Sequence, residues 1–277
     1  MMREDGHMTA SAPLVAVCQF APTASRGSNR ARIAGLVADA AGRGARVIVL
    51  PEYSSFFVDP MDDSLAANAE PVGGEFVQTL QGLAAEHGAV IVAGMVETAD
   101  AGRVHNTLVA VSDAGVQAIY RKQHLYDAFG QTESDWIEPG ELGQASVFDA
   151  CGIRFGMMTC YDLRFPEVAR TLVDAGADAL IVPAEWVRGP LKEHHWSTLL
   201  TARAVESTAY VIAADHPAPI GVGLSQVIDP QGVSVAGVSA GEGIALASVD
   251  PQLIARTRET NPVLRLRRYA VVPRQTS

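Results

Sequence analysis

Short, continuous apolar runs alternate with amphipathic runs along most of the chain. Continuous runs are typical of strands buried on both faces, whereas apolar residues at i, i+3, i+4 and i+7 are typical of helices. The predicted strands of the first kind lie at 14–19, 47–50, 89–96, 153–158, 179–182 and 210–214. The predicted helices cover about 33–41, 74–87, 165–172, 190–207 and 251–259. This β-α-β order favours a mostly parallel sheet, and the carboxyl ends of its strands are the usual place for a site.

Turn chemistry and irregular segments complete the pattern. Further β-rich runs, the first two joined by a polar hairpin turn, lie at 104–111, 116–120, 225–228 and 243–249. Pro190 is placed to be the first residue of the fourth helix. The segments 53–71 and 123–144 have no clear period, so we expect two long loops, which often line functional sites.

The composition predicts a globular protein with a large core. The chain has 277 residues, is 48% hydrophobic and contains no low-complexity tract. No linker divides it, so we expect one domain at 13–277 after a disordered N-terminal tail at 1–12. The basic tail from about 260 to 277 has no core of its own, and we expect it to pack on a neighbouring subunit.

Charge and hydropathy argue against two classes of partner. Lys and Arg number 21 against 31 Asp and Glu, and the net charge of −10 disfavours a nucleic-acid-binding surface. The longest apolar runs are shorter than a membrane span, and the first dozen residues lack the apolar segment of a signal peptide. We therefore expect a cytoplasmic protein that binds neither nucleic acid nor membranes. An anionic substrate would need a local cationic pocket.

Cys160 is the unusual thiol among the three cysteines. Cys18 lies in an apolar strand and Cys151 precedes a glycine at a turn, so both are interpreted as structural. Cys160 ends a buried strand just before a helix, where main-chain N–H groups and the positive helix end favour a thiolate. Taken alone, a cysteine in such a place is more often a buried small apolar residue.

Three predicted strands end on groups with complementary chemistry, namely Glu52, Lys122 and Cys160. A cysteine has a pKa of about 8.5 in water, so at neutral pH it needs a base, and a neighbouring glutamate can accept its proton. Attack of the thiolate on an amide carbonyl places negative charge on the oxygen. Lys122, helped by the main-chain N–H of Tyr161, would stabilise that charge.

Three motifs in the chain resemble those of the carbon-nitrogen hydrolase (nitrilase) superfamily. In chain order they are Val49-Leu50-Pro51-Glu52-Tyr53, Tyr120-Arg121-Lys122-Gln123-His124-Leu125-Tyr126-Asp127 and Thr159-Cys160-Tyr161-Asp162-Leu163-Arg164-Phe165-Pro166-Glu167. The resemblance implies an α/β fold built as a four-layer α-β-β-α sandwich. It also implies a catalytic triad of Glu52, Lys122 and Cys160, a second glutamate at Glu133, and a homodimer or higher homo-oligomer.

The mechanism that this resemblance implies needs only side chains. Glu52 deprotonates Cys160, the thiolate attacks the carbonyl of a small-molecule amide, ammonia leaves, and water hydrolyses the thioester. Glu133 would hold Lys122 and the substrate amide in place. We expect no metal and no organic cofactor. The adjacent His194 and His195 do not suggest a metal site, because consecutive helical residues point in different directions.

The residues after the thiol resemble the amidase branches that act on small carboxylate-bearing amides, such as ω-amidase (2-oxoglutaramate amidase) and deaminated-glutathione amidase. A nitrilase or an N-carbamoyl amidase is the alternative enzyme, and a catalytically silent binding subunit is the alternative outside catalysis. The expected walls of the substrate pocket are Tyr53, Phe129, Glu185, Trp186 and Arg188. Among these, Arg188 is our candidate for binding a substrate carboxylate. Arg164 is interpreted as a structural partner of Asp162 or another acid.

Overall fold

The computed structural model describes residues 12–100 and 102–274. The predicted disordered tail at 1–12 therefore lies almost wholly outside the described residues. Among the described residues, no helix combines the length and the apolar character that crossing a membrane requires.

Twelve strands are found in the described ranges. They are β1 Leu14–Gln19, β2 Val47–Val49, β3 Val90–Thr98, β4 Val104–Ser112, β5 Gly115–Arg121, β6 Val147–Ala150, β7 Ile153–Met157, β8 Ala179–Pro183, β9 Tyr210–Ala214, β10 Gln226–Ile228, β11 Ser234–Gly237 and β12 Gly243–Ser248. Every continuous apolar run identified in the sequence forms one of these strands, because each can bury both faces.

Between 12 and 274, apart from residue 101, seven α-helices and two short 3-10 helices join the strands. The α-helices are α1 Arg26–Gly42, α2 Ser64–Asn68, α3 Glu75–His87, α4 Pro166–Asp174, α5 Lys192–Ser207, α6 Pro251–Thr260 and α7 Val263–Leu266, and the 3-10 helices are Glu133–Asp135 and Cys160–Arg164. The long helices coincide with the amphipathic runs. The Ser25 side chain caps α1, and the side chain of Asp250 caps α6, which has proline at its first turn.

The strands form two six-stranded mixed sheets. Their orders are β12-β1-β2-β3-β4-β5 and β11-β10-β9-β8-β7-β6. In the first sheet only the β1-β2 and β2-β3 pairs are parallel, and in the second only the β7-β8 and β8-β9 pairs. The expectation of a mostly parallel sheet is therefore wrong outside the sheet centres, because hairpins and returning strands add antiparallel neighbours at both edges.

The two sheets pack face to face between two helical layers. One buried cluster joins the inner faces of both sheets, and includes Val17 and Val49 from one sheet and Phe155 and Ile181 from the other. A second cluster packs α1 and α3 on the outside of the first sheet, and a third packs α4 and α5 on the outside of the second. The four-layer α-β-β-α sandwich expected from the resemblance is confirmed.

Several boundaries differ from the sequence prediction for local reasons. Helix α5 begins at Lys192 rather than at Pro190, because Leu191 adopts a left-handed conformation with φ +61°. Strands β6 and β11 were not predicted. Each has four residues, and β11 is largely exposed, so neither carries a strong apolar pattern. The short helices α2 and α7 fall inside segments that we expected to be irregular.

A glycine in β3 fixes the main chain that follows β2. Strand β2 ends next to β3, where the N–H of Gly94 donates to the carbonyl of Pro51 over 3.1 Å. A Cβ atom at Gly94 would lie 2.6 Å from Glu52 Cα and 2.6 Å from Tyr53 N. Only glycine therefore allows the backbone at Glu52 to approach this strand so closely.

Replacing Gly94 with alanine should displace the main chain at Glu52 and destabilise the protein by about 1–3 kcal/mol, since the new methyl group meets backbone atoms. Urea denaturation measures this change. The matched control is Gly82→Ala in α3, where the new methyl group meets open space, and where alanine should stabilise the helix by about 1 kcal/mol. Equal stability of the two variants would contradict this account of Gly94.

Candidate active site

Cys160 sits at a sharp turn between β7 and α4. Its φ is +47°, in the left-handed region that a residue with a side chain rarely adopts. The buried Asp162 carboxylate fixes the turn by accepting hydrogen bonds from the Thr159 N–H at 3.2 Å and the Tyr120 hydroxyl at 2.7 Å. Asp162 also accepts from the N–H of His124, and among the described residues no acid forms an ion pair with Arg164, so the interpretation of Arg164 as a structural partner of Asp162 or another acid is wrong.

The ammonium of Lys122 lies between two buried carboxylates. Its Nζ is 3.0 Å from Glu52 Oε1 and 2.9 Å from the Glu133 carboxylate, and all three side chains are almost fully buried. Burial alone would lower the pKa of Lys122, but the carboxylates of Glu133 and Glu52 outweigh it and hold that pKa well above its usual value. Lys122 is therefore a fixed positive charge in the site.

Glu52 uses both of its carboxylate oxygens. Oε1 also accepts a hydrogen bond from Asn106 Nδ2 at 2.6 Å, and Oε2 accepts from the main-chain N–H of Glu185 at 2.6 Å. Burial raises the pKa of Glu52, and the charge of Lys122 offsets this rise only in part. A carboxylate with a raised pKa is a stronger base near neutral pH.

Glu133 is held by three further hydrogen bonds. Its carboxylate accepts from the Tyr53 hydroxyl at 2.7 Å, from the main-chain N–H of Tyr126 at 2.6 Å and from Asn106 Nδ2 at 3.3 Å. These donors compensate for the desolvation of the carboxylate. Glu133 is therefore a second fixed carboxylate that holds Lys122.

The thiol of Cys160 is buried among acidic groups. Its Sγ donates to the main-chain carbonyl of Glu185 over 3.3 Å. Burial, and then the nearby Glu52 carboxylate, raise the pKa of the thiol well above its usual value, although Lys122 opposes them. Burial and the acidic neighbours therefore oppose the ionisation that the turn was expected to favour, which agrees with the expectation that the thiol needs a base.

Cys160, Glu52, Lys122 and Glu133 line one cavity of about 250 Å³. Tyr53 and Glu185, two of the expected wall residues, also line it. A narrow cleft that also borders the thiol is lined by Tyr126, Cys160, Tyr161, Arg164, Glu185, Trp186, Val187 and Lys192. The structure thus brings the four predicted catalytic side chains together, with Trp186 and Tyr161 beside them.

Two of the predicted pocket residues lie elsewhere. The Arg188 side chain is about half exposed, pairs with Glu193 at 3.7 Å and lines neither the cavity nor the cleft, so its assignment to the pocket is wrong. Phe129 is 68% exposed and lies over the cleft residue Lys192, with its ring centroid 4.2 Å from Nζ. Phe129 is therefore a cover for the cleft rather than a wall of the cavity.

Sequence analysis missed two cations near the thiol. Lys192 Nζ donates to the Tyr126 hydroxyl over 2.6 Å, and the Arg164 guanidinium lies 4.9 Å from the ring centroid of Trp186. Arg164 stands four residues after Cys160, so the 3-10 turn brings it back beside the thiol. Lys192 could have been found only by recognising that α5 begins there, with its first turn against Trp186.

A buried histidine supports the main chain of Glu52. His216 follows β9, and its Nε2 donates to the carbonyl oxygen of Glu52 over 2.7 Å, while its Nδ1 has no partner among the described residues. Burial lowers the pKa of His216 from 6.5 to about 4. The imidazole is therefore neutral at physiological pH.

His216 should make the stability of the fold depend on pH. Because its pKa is lower in the folded state, the unfolded chain binds more protons between pH 6.5 and about 4, so stability falls as pH falls through this window. His216→Gln keeps a donor for the carbonyl of Glu52 but does not titrate. Its loss of unfolding free energy between pH 7 and pH 5 in urea should be about 2 kcal/mol smaller than that of the parent protein. Equal losses would contradict this role.

Comparison with known proteins identifies the family. The family described as Carbon-nitrogen hydrolase matches residues 14–259. The deaminated glutathione amidase of Escherichia coli O157:H7 is 40% identical over 258 residues, which cover 93% of this chain and 98% of that protein. The deaminated glutathione amidase of Mus musculus is 36% identical over 274 residues, covering 92% and 83%.

Solved structures agree with this family. Saccharomyces cerevisiae Nit3, described as a member of branch 10 of the nitrilase superfamily, superposes with a TM-score of 0.83 at 27% identity, covering 94% of this chain and 97% of that one. The C. elegans NitFhit protein gives a TM-score of 0.85 at 28% identity, covering 94% of this chain and 66% of its own. The buried Glu-Lys-Cys cluster, the four layers and these matches show that the chain belongs to the carbon-nitrogen hydrolase family and is a hydrolase of carbon–nitrogen bonds.

Proposed function

We propose that this protein is an amidase that hydrolyses a small carboxylate-bearing amide through a thioester on Cys160. The observation that carries the proposal is the buried Lys122 ammonium, held between Glu52 and Glu133 in the cavity that also contains the thiol. Deaminated glutathione amidases among the relatives support an amide as the substrate. An amidase is therefore consistent both with the side chains in the cavity and with the proteins that this chain resembles.

In the proposed first half-reaction, Glu52 takes the proton of the thiol while the sulfur attacks the amide carbonyl. The carbonyl oxygen becomes negative and is stabilised by Lys122 and by the main-chain N–H of Tyr161. Glu52 then returns the proton to the amide nitrogen, the C–N bond breaks, and the amine leaves. The acyl group remains on Cys160 as a thioester.

In the second half-reaction, Glu52 takes a proton from a water molecule, which attacks the thioester carbonyl. The same donors stabilise the oxyanion, the C–S bond breaks, and the sulfur recovers a proton from Glu52. Glu133 keeps Lys122 in position throughout and can accept a hydrogen bond from the substrate amide. Every proton is accounted for by Glu52, so the proposed cycle uses no cofactor.

The two cations in the cleft support a carboxylate on the substrate. In the described ranges neither Arg164 nor Lys192 forms an ion pair, and Arg164 Nε is buried without a partner. Burial and then the neighbouring Arg164 lower the pKa of Lys192, so an arriving anion would relieve the repulsion between the two cations. We propose that they bind the carboxylate of the acyl group, in place of Arg188.

The cavity leaves room for more than ammonia as the leaving group. A cavity volume of about 10–15 Å³ is enough for one water molecule, whereas this cavity has a volume of about 250 Å³. The volume therefore does not restrict the leaving group to ammonia, and a substrate panel should contain both primary amides and amides substituted on nitrogen. Nitriles and N-carbamoyl amino acids belong in the same panel, because they distinguish an amidase from the alternative enzymes.

We further propose a homodimer or higher homo-oligomer in which the C-terminal tail packs on a neighbouring subunit. The apolar residues Leu266, Tyr269 and Val272 in this segment are 63%, 92% and 75% exposed in the isolated chain, which supports a covered position in an assembly. The three cysteines are free, as suits a reducing compartment, and we propose the cytoplasm.

Cys160→Ala should abolish amide hydrolysis, because no other group in the cavity can form the acyl intermediate. Cys160→Ser should also lose most activity, since a hydroxyl is a much weaker acid than a thiol. The matched control is Cys151→Ala, because Cys151 is exposed and lines neither the cavity nor the cleft. Amine release measured on the substrate panel tests this, and normal release by Cys160→Ala would sink the proposal.

Arg164→Met and Lys192→Met should each raise KM for a carboxylate-bearing amide by about 10–100-fold, since each removes a hydrogen bond to a charged group. The effect on an uncharged amide of similar size should be much smaller. Arg188→Met is the matched control, because that guanidinium lies outside the cavity and the cleft. Steady-state kinetics with both amides measure these KM values. If KM for the carboxylate-bearing amide rises most in Arg188→Met, then Arg188, and not Arg164 with Lys192, binds the carboxylate.

A further inference from the structure

The lysine and the cysteine of the site follow strands of different sheets. Lys122 follows β5, at one edge of the first sheet, and Cys160 follows β7 in the second. In the part of the chain that the structure describes, no strand pairing joins β5 to β7, so sheet hydrogen bonds do not set the position of one residue against the other. The carboxylates of Glu52 and Glu133 hold the lysine ammonium, but neither of them contacts the main chain of the turn that carries the thiol.

The carboxylate of Asp162 connects the two segments. Its Oδ2 accepts hydrogen bonds from the Tyr120 hydroxyl at 2.7 Å and from the Thr159 N–H at 3.2 Å. Its Oδ1 accepts from the main-chain N–H of His124 at 3.0 Å and lies 2.8 Å from the Nδ1 atom of the same residue. Tyr120 and His124 stand two residues before and two residues after Lys122, and Thr159 directly precedes the cysteine. One carboxylate thus holds the residues on both sides of the lysine against the turn of the thiol.

Asp162 is the common partner in the contact between these segments. Among the described residues, every hydrogen bond between 120–124 and 159–165 ends on its carboxylate. The His124 ring adds a stacked contact with Phe165, with the two ring centroids 3.8 Å apart. Asp162 is fully buried, and a buried carboxylate is stable only when its oxygens accept hydrogen bonds. The two segments therefore cannot move apart without leaving this carboxylate unsatisfied.

The proposed mechanism requires this alignment. Lys122 and the main-chain N–H of Tyr161 stabilise the same oxyanion, although they belong to the two different segments. Tyr161 lies in the 3-10 helix whose first turn is capped by the Asp162 side chain. A displacement of about 1 Å can cost about 100-fold in rate when reacting groups depend on exact placement. A contact that fixes the two segments therefore acts on the geometry of the oxyanion site.

We infer that Asp162 is a positioning residue that aligns the Lys122 ammonium with the Tyr161 N–H, so that both donate to the oxyanion formed on the substrate. This inference rests on the proposed amidase function. Asp162 lines neither the cavity nor the cleft, so it acts through these two donors. Loss of its contacts should slow the steps that form an oxyanion, and should spare a reaction of the thiol that forms none.

The test compares amide turnover with alkylation of the Cys160 thiol by iodoacetamide. In the alkylation the C–S bond forms as the C–I bond breaks, the thiol proton passes to Glu52, and no oxyanion forms. Tyr120→Phe removes a hydroxyl from the lysine side of the connection and keeps the ring in the core. It should lower kcat by about 10-fold, because one hydrogen bond to a carboxylate is lost. The alkylation rate of Cys160, followed by mass spectrometry of its peptide, should stay at the parent value.

Asp162→Asn is the stronger variant, because its side-chain NH2 group replaces an acceptor and faces donors. It should lower kcat by about 100-fold while the alkylation rate changes by less than about 3-fold. Should this variant fail to fold, Tyr120→Phe provides the same comparison. Unequal effects on the two reactions are the expected result, since a loss of folded protein would lower both equally.

Two matched controls belong to the same experiment. Tyr210→Phe removes another buried hydroxyl that bonds across segments, where it accepts from the N–H of Asp250 over 3.2 Å. Asp178→Asn alters another carboxylate that joins two segments, through Arg258 Nη1 at 2.7 Å. Tyr210 and Asp178 line neither the cavity nor the cleft, so both controls should keep the parent kcat and alkylation rate.

The outcomes separate this inference from the proposed function. If alkylation falls as far as kcat in Asp162→Asn and Tyr120→Phe, Asp162 acts on the thiol or on the fold alone and the inference is overturned. If both variants keep the parent kcat on an amide, the inference also fails, while the amidase function stands. If the parent protein hydrolyses no amide of the panel although Cys160 is alkylated, the proposed function fails and the inference fails with it.

Discussion

The buried ammonium of Lys122 between two carboxylates is the constraint on which the site depends. Three ionised side chains inside a protein are stable only when each compensates the others, and removing one leaves an unpaired buried charge. Glu52 follows β2, Lys122 follows β5, and Glu133 lies in a 3-10 helix between the two sheets. Their mutual dependence therefore fixes the residue that follows β2 against two residues of the stretch after β5, which begins 70 residues further along the chain.

The thiol that completes this cluster belongs to a residue that follows a strand of the second sheet. Cys160 follows β7, and its neighbour strand β8 delivers Glu185, whose main chain contacts both the thiol and Glu52. Seven described residues other than glycine have left-handed backbone conformations, and four of them, Tyr53, Phe129, Cys160 and Leu191, lie in segments that border the site. Such conformations persist where surrounding structure enforces them, so the packing of the two sheets maintains the geometry on which catalysis depends.

The sequence located Glu52, Lys122 and Cys160 because each follows a predicted strand and lies in a motif that resembles the carbon-nitrogen hydrolase family, whereas the strand pattern alone would have left Lys122 as a surface charge. It did not reveal Arg164 and Lys192 as a pair, because their proximity depends on a 3-10 turn and on the start of α5, which no periodicity specifies. Arg188 was wrongly assigned to the pocket for the same reason, because no periodicity in the sequence specifies where α5 begins. The sequence also could not show how strongly the surroundings raise the pKa of the thiol, because burial and the nearby Glu52 carboxylate are properties of the folded interior.

The central claim is that Cys160 carries the acyl group during turnover, and mass spectrometry of the rapidly quenched enzyme tests it most directly. The protein is mixed with an amide substrate, quenched in acid within a turnover, and digested. The account predicts that the peptide containing Cys160 gains the mass of the acyl group and loses it when the reaction is allowed to proceed in water. Full turnover with the Cys160 peptide unmodified at every quench time, or with the acyl group on another residue, would contradict it.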